Sequence, residues 1–412
     1  MGEWKTYTLQ QLADPAKHAM ATGPFGSAIS SRHFTNRGVP VLRGSNLSVD
    51  VGHRLIEDDL VFLDESKAKE FVRSQVTQGD LVFTCWGTIG QLGIIDDMAR
   101  YDRYVVSNKQ MKMTPDRSKV NPLFLYYKLS TPQSLWAVQN MAIGSSVPGF
   151  NLTQLKSIEV DIPSIEEQQA IVAVLGALDD KIAVNEQIAS VYEQILALEF
   201  ELLGIDIEPG EEVSIRASDL VEFNPKLPPP SREDAVYLDM ASLPTSTARV
   251  QGWSRRAPKS GTRFSNGDTV MARITPCLEN GKTAFVDFME DGEIGVGSTE
   301  FIVMRACPNV PTHFPYFLAR SSRFRKIAIQ NMVGSSGRQR VSAAQLADVP
   351  LARPDRDSLA KFGDRAAAAF AHMKSLGAEN QTLAQLRDTL LPKLMSGELR
   401  VRDAEKMVED AT

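Results

Sequence analysis

Two long stretches of the chain place mostly apolar residues at alternating steps of four and three. The first runs through Ile171, Leu175, Leu178, Ile182, Asn185, Ala189, Tyr192, Leu196 and Glu199. The second runs through Phe362, Ala366, Ala369, Met373, Leu376, Asn380, Leu383, Arg387 and Leu390. A period of 3.5 residues is the seam of a coiled coil, so each stretch predicts a long helix. Glu166 and Glu167 suit the first turn of the first helix, Pro163 stands just before it and Gly204 just past its end. Ahead of each helix lie short Val/Ile/Phe-rich runs broken by Gly, Asn and Pro, the pattern of a mixed, mostly β domain. Asn185 and Asn380 interrupt the seams. A buried seam Asn fixes register and partner choice at some cost in stability; on a loose helix it faces water instead, and the sequence leaves both readings open.

The whole pattern occurs twice. QNMAIGSSVPGFNLTQL (139–155) returns as QNMVGSSGRQRVSAAQL (330–346), 191 positions on. VTQGDLVFTCWGTIGQLGIID (76–96) resembles FSNGDTVMARITPCLENGKTAFVD (264–287), and VPVLRGSNL (39–47) resembles AVYLDMASL (235–243). IPSIEEQQAIVAVL (162–175) parallels ARPDRDSLAKFGDRA (352–366). A spacing near 190 residues is too long for a solenoid and reads as a duplicated domain-plus-helix unit. The expected layout is a domain over 1–160, a long helix within 161–206, a second domain over 207–352, a second helix within 353–400 and a tail, 401–412. To pair with the first helix, the second must run back antiparallel. The fold class expected is therefore α+β: two mostly-β domains separated by an antiparallel two-helix coiled coil, with an approximate two-fold axis. About 35 residues per helix would separate the ends by roughly 50 Å.

Composition narrows the class. At 412 residues the chain suggests two to three domains, and 43% hydrophobic with 23% charged residues is ordinary for a globular protein. The opening MGEWKTYTLQ has no basic region followed by an apolar run, so no signal peptide is expected, and no apolar run is long enough for a membrane span. Cys85, Cys277 and Cys307 form no CxxC, which argues against a zinc site or a disulfide framework and for a reducing cytoplasm. The net charge of −6 hides a segregation. Arg103 to Lys156 holds seven Lys/Arg and one acid, and the stretch between Glu300 and Asp348 holds seven Lys/Arg and no acid. Glu159 to Glu212 holds fourteen acids and one base, Lys181. Both basic stretches end on the repeated phrase.

No catalytic signature stands out. There is no GxxxxGK[ST] phosphate loop and no HExxH, and the five histidines show no metal spacing. FNPK (223–226) lacks the aromatic and second proline of the NPPY motif of amino-methyltransferases. Asp80 and Asp268, each after Gly, read as turn residues. What remains suits DNA. The Gly-Ser-Ser loops offer backbone N–H groups and hydroxyls to phosphates, and Arg338 and Arg340 follow in the second copy where the first has Pro148, Phe150 and Asn151. Arg pairs bidentately with guanine, and Asn or Gln with adenine.

The chain resembles the specificity subunit of a Type I restriction–modification system. GPFGS then GVPVLRGSNL, GDLVFTCWGTIG, the Gly-Ser-Ser phrase, IPSIEEQQAIV with LDDKI, and LRDTLLPKLMSGEL (386–399) carry the resemblance across almost the whole length. The second copy departs at its start, with EFNPKLPPP (222–230) in place of GPFGS. The resemblance implies two target-recognition domains, each reading half of a split double-stranded DNA target, and conserved helices that dock two modification subunits. Those partners would bring S-adenosylmethionine, restriction subunits would bring ATP and Mg chemistry, and this chain would hold no active site. The DNA contacts expected are Arg43, Ser45, Asn46, Trp86, Thr88, Lys109, Ser145, Ser146 and Asn151 in the first domain. In the second they are Arg273, Thr275, Lys282, Ser298, Thr299, Ser335, Ser336, Arg338 and Arg340. The rival reading is a coiled-coil adaptor that joins proteins without touching DNA.

Overall fold

The computed structural model describes residues 4–141, 149–210, 214–250, 252–257, 260–335 and 337–410. It divides into two compact units, Met1–Ala183 with Asn380–Thr412, and Val184–Glu379. Each unit holds one β domain and a portion of both long helices, Ile165–Leu202 and Arg356–Met395.

In the first unit, one antiparallel sheet has the strand order Met20–Thr22, Gln110–Met113, Leu81–Thr84, Leu92–Ile94. A second sheet has the order Val61–Leu63, Val39–Leu42, Arg103–Val106, Gln75–Thr77, with a parallel pair at its centre. The second unit repeats this strand for strand. One sheet runs Val221–Phe223, Phe301–Ala306, Thr269–Ala272, Thr283–Phe285, and the other runs Ser254–Arg256, Ala235–Leu238, Gly295–Gly297, Thr262–Phe264, again with a parallel central pair. The repeat is thus a repeat of topology as well as of phrases. It extends into EFNPK: the strand Val221–Phe223 takes the place of Met20–Thr22, and Asn224 (φ +52°) binds the backbone of Val303 where Gly23 binds that of Gln110.

The two Gly-Asp turns are built alike. Asp80 accepts from Thr77 N at 2.9 Å and Asp268 from Ser265 N at 2.8 Å, each closing the turn ahead of a buried strand. A further two-stranded ladder closes each domain onto its own helix: Lys5–Thr8 pairs with Glu159–Ile162, and Ser214–Arg216 with Pro350–Ala352. The helix then enters the core of its domain. Ile171, Leu175 and Leu178 pack with Phe124, Tyr127 and Leu155 in the first unit. In the second, Phe362, Ala366 and Ala369 pack with Phe317, Leu346 and Leu351.

The second helix's seam is buried at every position but Asn380; the first is buried at Ile171, Leu175, Leu178, Asn185 and Leu196 and half-buried at Ile182, Ala189, Tyr192 and Glu199. In the first unit Asn380 Nδ2 donates to Ile182 O (3.4 Å), and Arg387 pairs with Asp179. In the second, Asn185 Nδ2 donates to Glu379 (2.8 Å), Tyr192 meets His372 and Glu199 meets Arg365. As residue numbers rise on one helix they fall on the other, so within each unit the helices pair antiparallel. Asn185 is 1% exposed, which decides for the buried reading of that residue. Residues 401–412, expected as a tail, hold the helix Val401–Glu409. Val401, Ala404 and Val408 fall on one helical face and pack on the first unit's core, with Ala404 fully buried.

Candidate nucleic-acid interface

In each unit, loops from both sheets meet along one edge. In the first, Val39–Leu42 and Arg103–Val106 end there, Leu81–Thr84 ends there, and Gln110–Met113 begins there. Three backbone bonds tie these loops together: Ser107 N to Leu42 O (2.9 Å), Cys85 N to Lys109 O (2.8 Å) and Phe150 N to Cys85 O (3.1 Å). In the second unit the same bonds recur as Ser298 N to Leu238 O (3.3 Å), Arg273 N to Glu300 O (3.0 Å) and Val341 N to Arg273 O (3.1 Å). Trp86 bridges Gly149 as Ile274 bridges Arg340. Just after this strap a short helix is capped, by Asn151 on Gln154 N in one unit and by Ser342 on Gln345 N in the other. These bonds run through backbone alone, so the frame does not depend on which side chains it carries.

The side chains on this common frame differ. Where Lys109 stands in the first unit, Glu300 stands in the second; where Arg43 follows the strand Val39–Leu42, Asp239 follows Ala235–Leu238. Cys85 corresponds to Arg273, and Gly149 to Arg340. The first unit therefore presents Trp86 (50% exposed) lying on the bare backbone of Gly149, with Lys109 exposed beside it. A Cβ on Gly149 would sit 2.6 Å from the indole, so glycine is what allows that close approach. The second unit presents a hairpin closed by two bonds between Val333 and Arg340, with Gly337 in the left-handed region (φ +76°) and Arg338 exposed at its tip.

The expected residues divide by how much of each side chain is still free. Ser45, Trp86, Thr88, Lys109, Thr299, Ser335 and Arg338 are exposed on the loop edge. Ser145, Ser146 and Ser336 lie outside the described residues. Six others are already engaged within the frame itself. Asn46 is fully buried, its amide donating to Ile56 O and Asp58 O and accepting from Arg43 N. Arg43 donates to Asp59 O (2.6 Å), Lys282 to Met240 O (2.7 Å) and Thr275 to Gln339 O. Asn151 is occupied as a helix cap. Arg340 grips Glu300 with two nitrogens at 2.7–3.0 Å, and those bonds hold the Glu300 carboxyl below its usual range. Ser298 is half-buried, with its hydroxyl accepting from Glu300 N. Arg273 is half-buried with its guanidinium Nε unpaired among the described residues.

Two exposed aromatics escaped the sequence reading. Phe25 (72% exposed) follows the strand Met20–Thr22 onto this edge, and Trp136 (68% exposed) lies on the helix Pro132–Asn140, whose Gln139 and Leu135 approach Gly90. The phrase GPFGS held the signal for Phe25: an apolar ring between turn residues has no strand or helix face to bury it. Burial pushes the Cys85 thiol up to about 11, away from the thiolate, and no three metal-ligating side chains cluster among the described residues. No helix there is long and apolar enough to cross a membrane.

Residues 28–194 match the family described as the Type I restriction modification DNA specificity domain. The chain is 21% identical to the Type I restriction enzyme HindI specificity subunit of Haemophilus influenzae, over 97% of this chain and all of that protein. It is 23% identical to the MjaIX specificity subunit of Methanocaldococcus jannaschii, over 83% of this chain and 82% of that one. In fold it resembles the crystal structure of the S subunit from M. genitalium, with a TM-score of 0.55 at 14% identity, covering 95% of this chain and 96% of that one. A duplicated domain and a repeated loop frame with divergent side chains thus stand beside a sequence similarity to specificity subunits of Type I restriction–modification systems that spans nearly the whole chain.

Proposed function

We propose that each unit reads one half of a split, asymmetric DNA target with its loop edge, and that the long helices dock two modification subunits and, with them, the restriction subunits. The observation that carries this reading is the frame repeated bond for bond with different side chains on it. Such a frame presents two readers in the same pose while letting each recognise different bases. Exposed Lys109, Trp86 and Thr88 suit one half-site; Arg338 and Thr299 suit the other. A reader on one face of B-DNA engages half-sites about ten base pairs apart, centre to centre. The chain holds no active site in this reading. S-adenosylmethionine, ATP and Mg belong to the partners, which modify adenine and cleave, and the assembly works in the cytoplasm.

Two measurements test it. Affinity for a target duplex should fall steeply between about 50 and 200 mM salt, since phosphate contacts release counterions. Mapping of methylated adenines in the source cell's DNA should give two unlike half-sites with a fixed gap. A chain that bound no duplex at low salt, or whose methylation map showed one undivided site, would be the adaptor alone.

A further inference from the structure

In each unit a short helix flanks the loop edge and rests on a left-handed glycine within it. Pro132–Asn140 places Leu135 and Gln139 against Gly90 (φ +100°), and Ser322–Gln330 places Arg325 against Gly281 (φ +75°). A Cβ on Gly281 would sit 3.1 Å from the Arg325 guanidinium, so the approach is close. Gly281 belongs to the loop between Thr269–Ala272 and Thr283–Phe285, the loop that also carries Arg273 and Thr275. Counted from the caps Thr131 and Ser321, Leu135 matches Arg325, and exposed Trp136 matches exposed Lys326. Pro132–Asn140 holds no charged residue; Ser322–Gln330 holds Arg323, Arg325 and Lys326 and no acid. The flanking helix is thus neutral beside one loop edge and cationic beside the other.

The cations of the second unit divide by whether a carboxylate answers them. Asp268 holds Arg305, and Glu300 holds Arg340. Arg320 lies near Glu193 and Arg323 near Asp206. No ion pair engages Arg325 among the described residues: one nitrogen donates to Glu279 O, and its Nε is buried with no partner. Burial, and after it the charge of Arg320, holds the Arg325 guanidinium below its usual range, and a nearby anion would relieve both. Resting on the reading of the loop edges as DNA-binding, we propose that Arg325 and Lys326 grip the DNA backbone beside the second half-site, and that the first unit has no such anchor at the matching place. The ligand is a phosphodiester because the loops meet the bases, while cations on a helix flanking those loops meet the strand that runs past them. Phosphate contacts hold the duplex in register without reading it. The two readers therefore contribute unequally to the salt-dependent part of the affinity.

The full chain, in complex with its modification subunits, would be titrated with target duplex between about 50 and 200 mM salt. Arg325→Gln with Lys326→Gln removes two phosphate contacts and should lower the salt slope by about two. Over that range the wild type should then lose roughly tenfold more affinity than the variant. The effect should be the same on a duplex whose second half-site is scrambled, because phosphates carry no sequence. Neutral methylphosphonate linkages beside the second half-site should weaken the wild type and leave the double variant unmoved. Arg325→Lys with Lys326→Arg keeps both charges and should keep the slope, and an unchanged thermal melt would confirm that the variants fold. A slope unchanged in the glutamine variant would overturn the anchor while leaving the proposed function standing. So would a slope lost equally in the charge-conserving pair, which would make the role structural, or a loss confined to one base position. Weaker binding of the modification subunit at an unchanged slope would give these cations to a protein carboxylate and overturn it too. A wild type that bound no duplex at low salt would sink the proposed function with it.

Discussion

Asp179 on the first long helix and Phe370 on the second occupy matching positions of the duplicated frame, and so do Arg387 and Leu196. In the first unit the junction of domain and helices is a buried charge network. Asp179 accepts from Arg387 (3.0 Å), Arg54 (3.1 Å) and the Tyr127 hydroxyl (2.5 Å), and Arg54 reaches on to Asp96 (2.9 Å). In the second unit the same place is aromatic. Phe370 packs at 5.1 Å from Phe285 and 4.3 Å from His313, with Tyr316 and Phe317 around it, and Leu196 lies in the same core. One fold thus tolerates either solution at one site. The aromatic junction gains from burial in any arrangement that fills the space. The ionic one gains little net energy but tolerates only one geometry, because a displaced partner leaves a charge stranded away from water.

That contrast is open to direct attack. Asp179→Ala leaves Arg387 and Arg54 short of a buried partner and should cost about 3–5 kcal/mol. Amide exchange should show the loss concentrated in the first unit, with the sheets of the second unchanged. An equal loss in both units would mean that the junctions do not act locally. Acid should single out the second unit through His313. Burial among aromatic rings lowers its pKa from 6.5 to about 4. Above pH 6.5 the ring is neutral in the folded and unfolded chain alike and nothing is lost. Between 6.5 and 4 the unfolded chain takes up the proton first, so stability falls through that window, by about 3 kcal/mol at most. His313→Phe should remove this component of the acid loss; the same pH profile in wild type and variant would refute the assignment.

The loop edges give smaller effects with a clearer signature. Arg338→Ala should cost about 1–3 kcal/mol of binding at one base position of one half-site if Arg338 pairs with guanine. A loss spread evenly over all sequences would reduce it to a phosphate contact, and no loss would take the hairpin out of the interface. Lys109→Ala should act on the other half-site, weakening binding evenly across sequences and lowering the salt slope by about one. Glu300, which holds the matching place in the second unit, offers no such cation, so Glu300→Ala should release Arg340 and shift only the half-site that Arg338 serves.

Much of this architecture was legible in the order of residues. The two helices announced themselves because a seam of 3.5-residue period is a local property: Leu178 and Leu383 are buried where their spacing placed them. The duplication was legible for the same reason, since like phrases fold into like strands, and Asp80 and Asp268 close their turns through backbone three residues away. The face of the Val401–Glu409 helix was written there too, in Val401, Ala404 and Val408. Tertiary structure alone decided which polar residues were free to meet a partner. Arg340 is taken by a carboxylate 40 positions away, Arg43 by a carbonyl 16 away and Arg387 by Asp179 across 208. A long polar side chain has several partners within reach of its flexible stem, and burial penalises every one left unmade. Its partner is therefore fixed by which distant strand or helix packs beside it, something no pattern of neighbouring residues encodes.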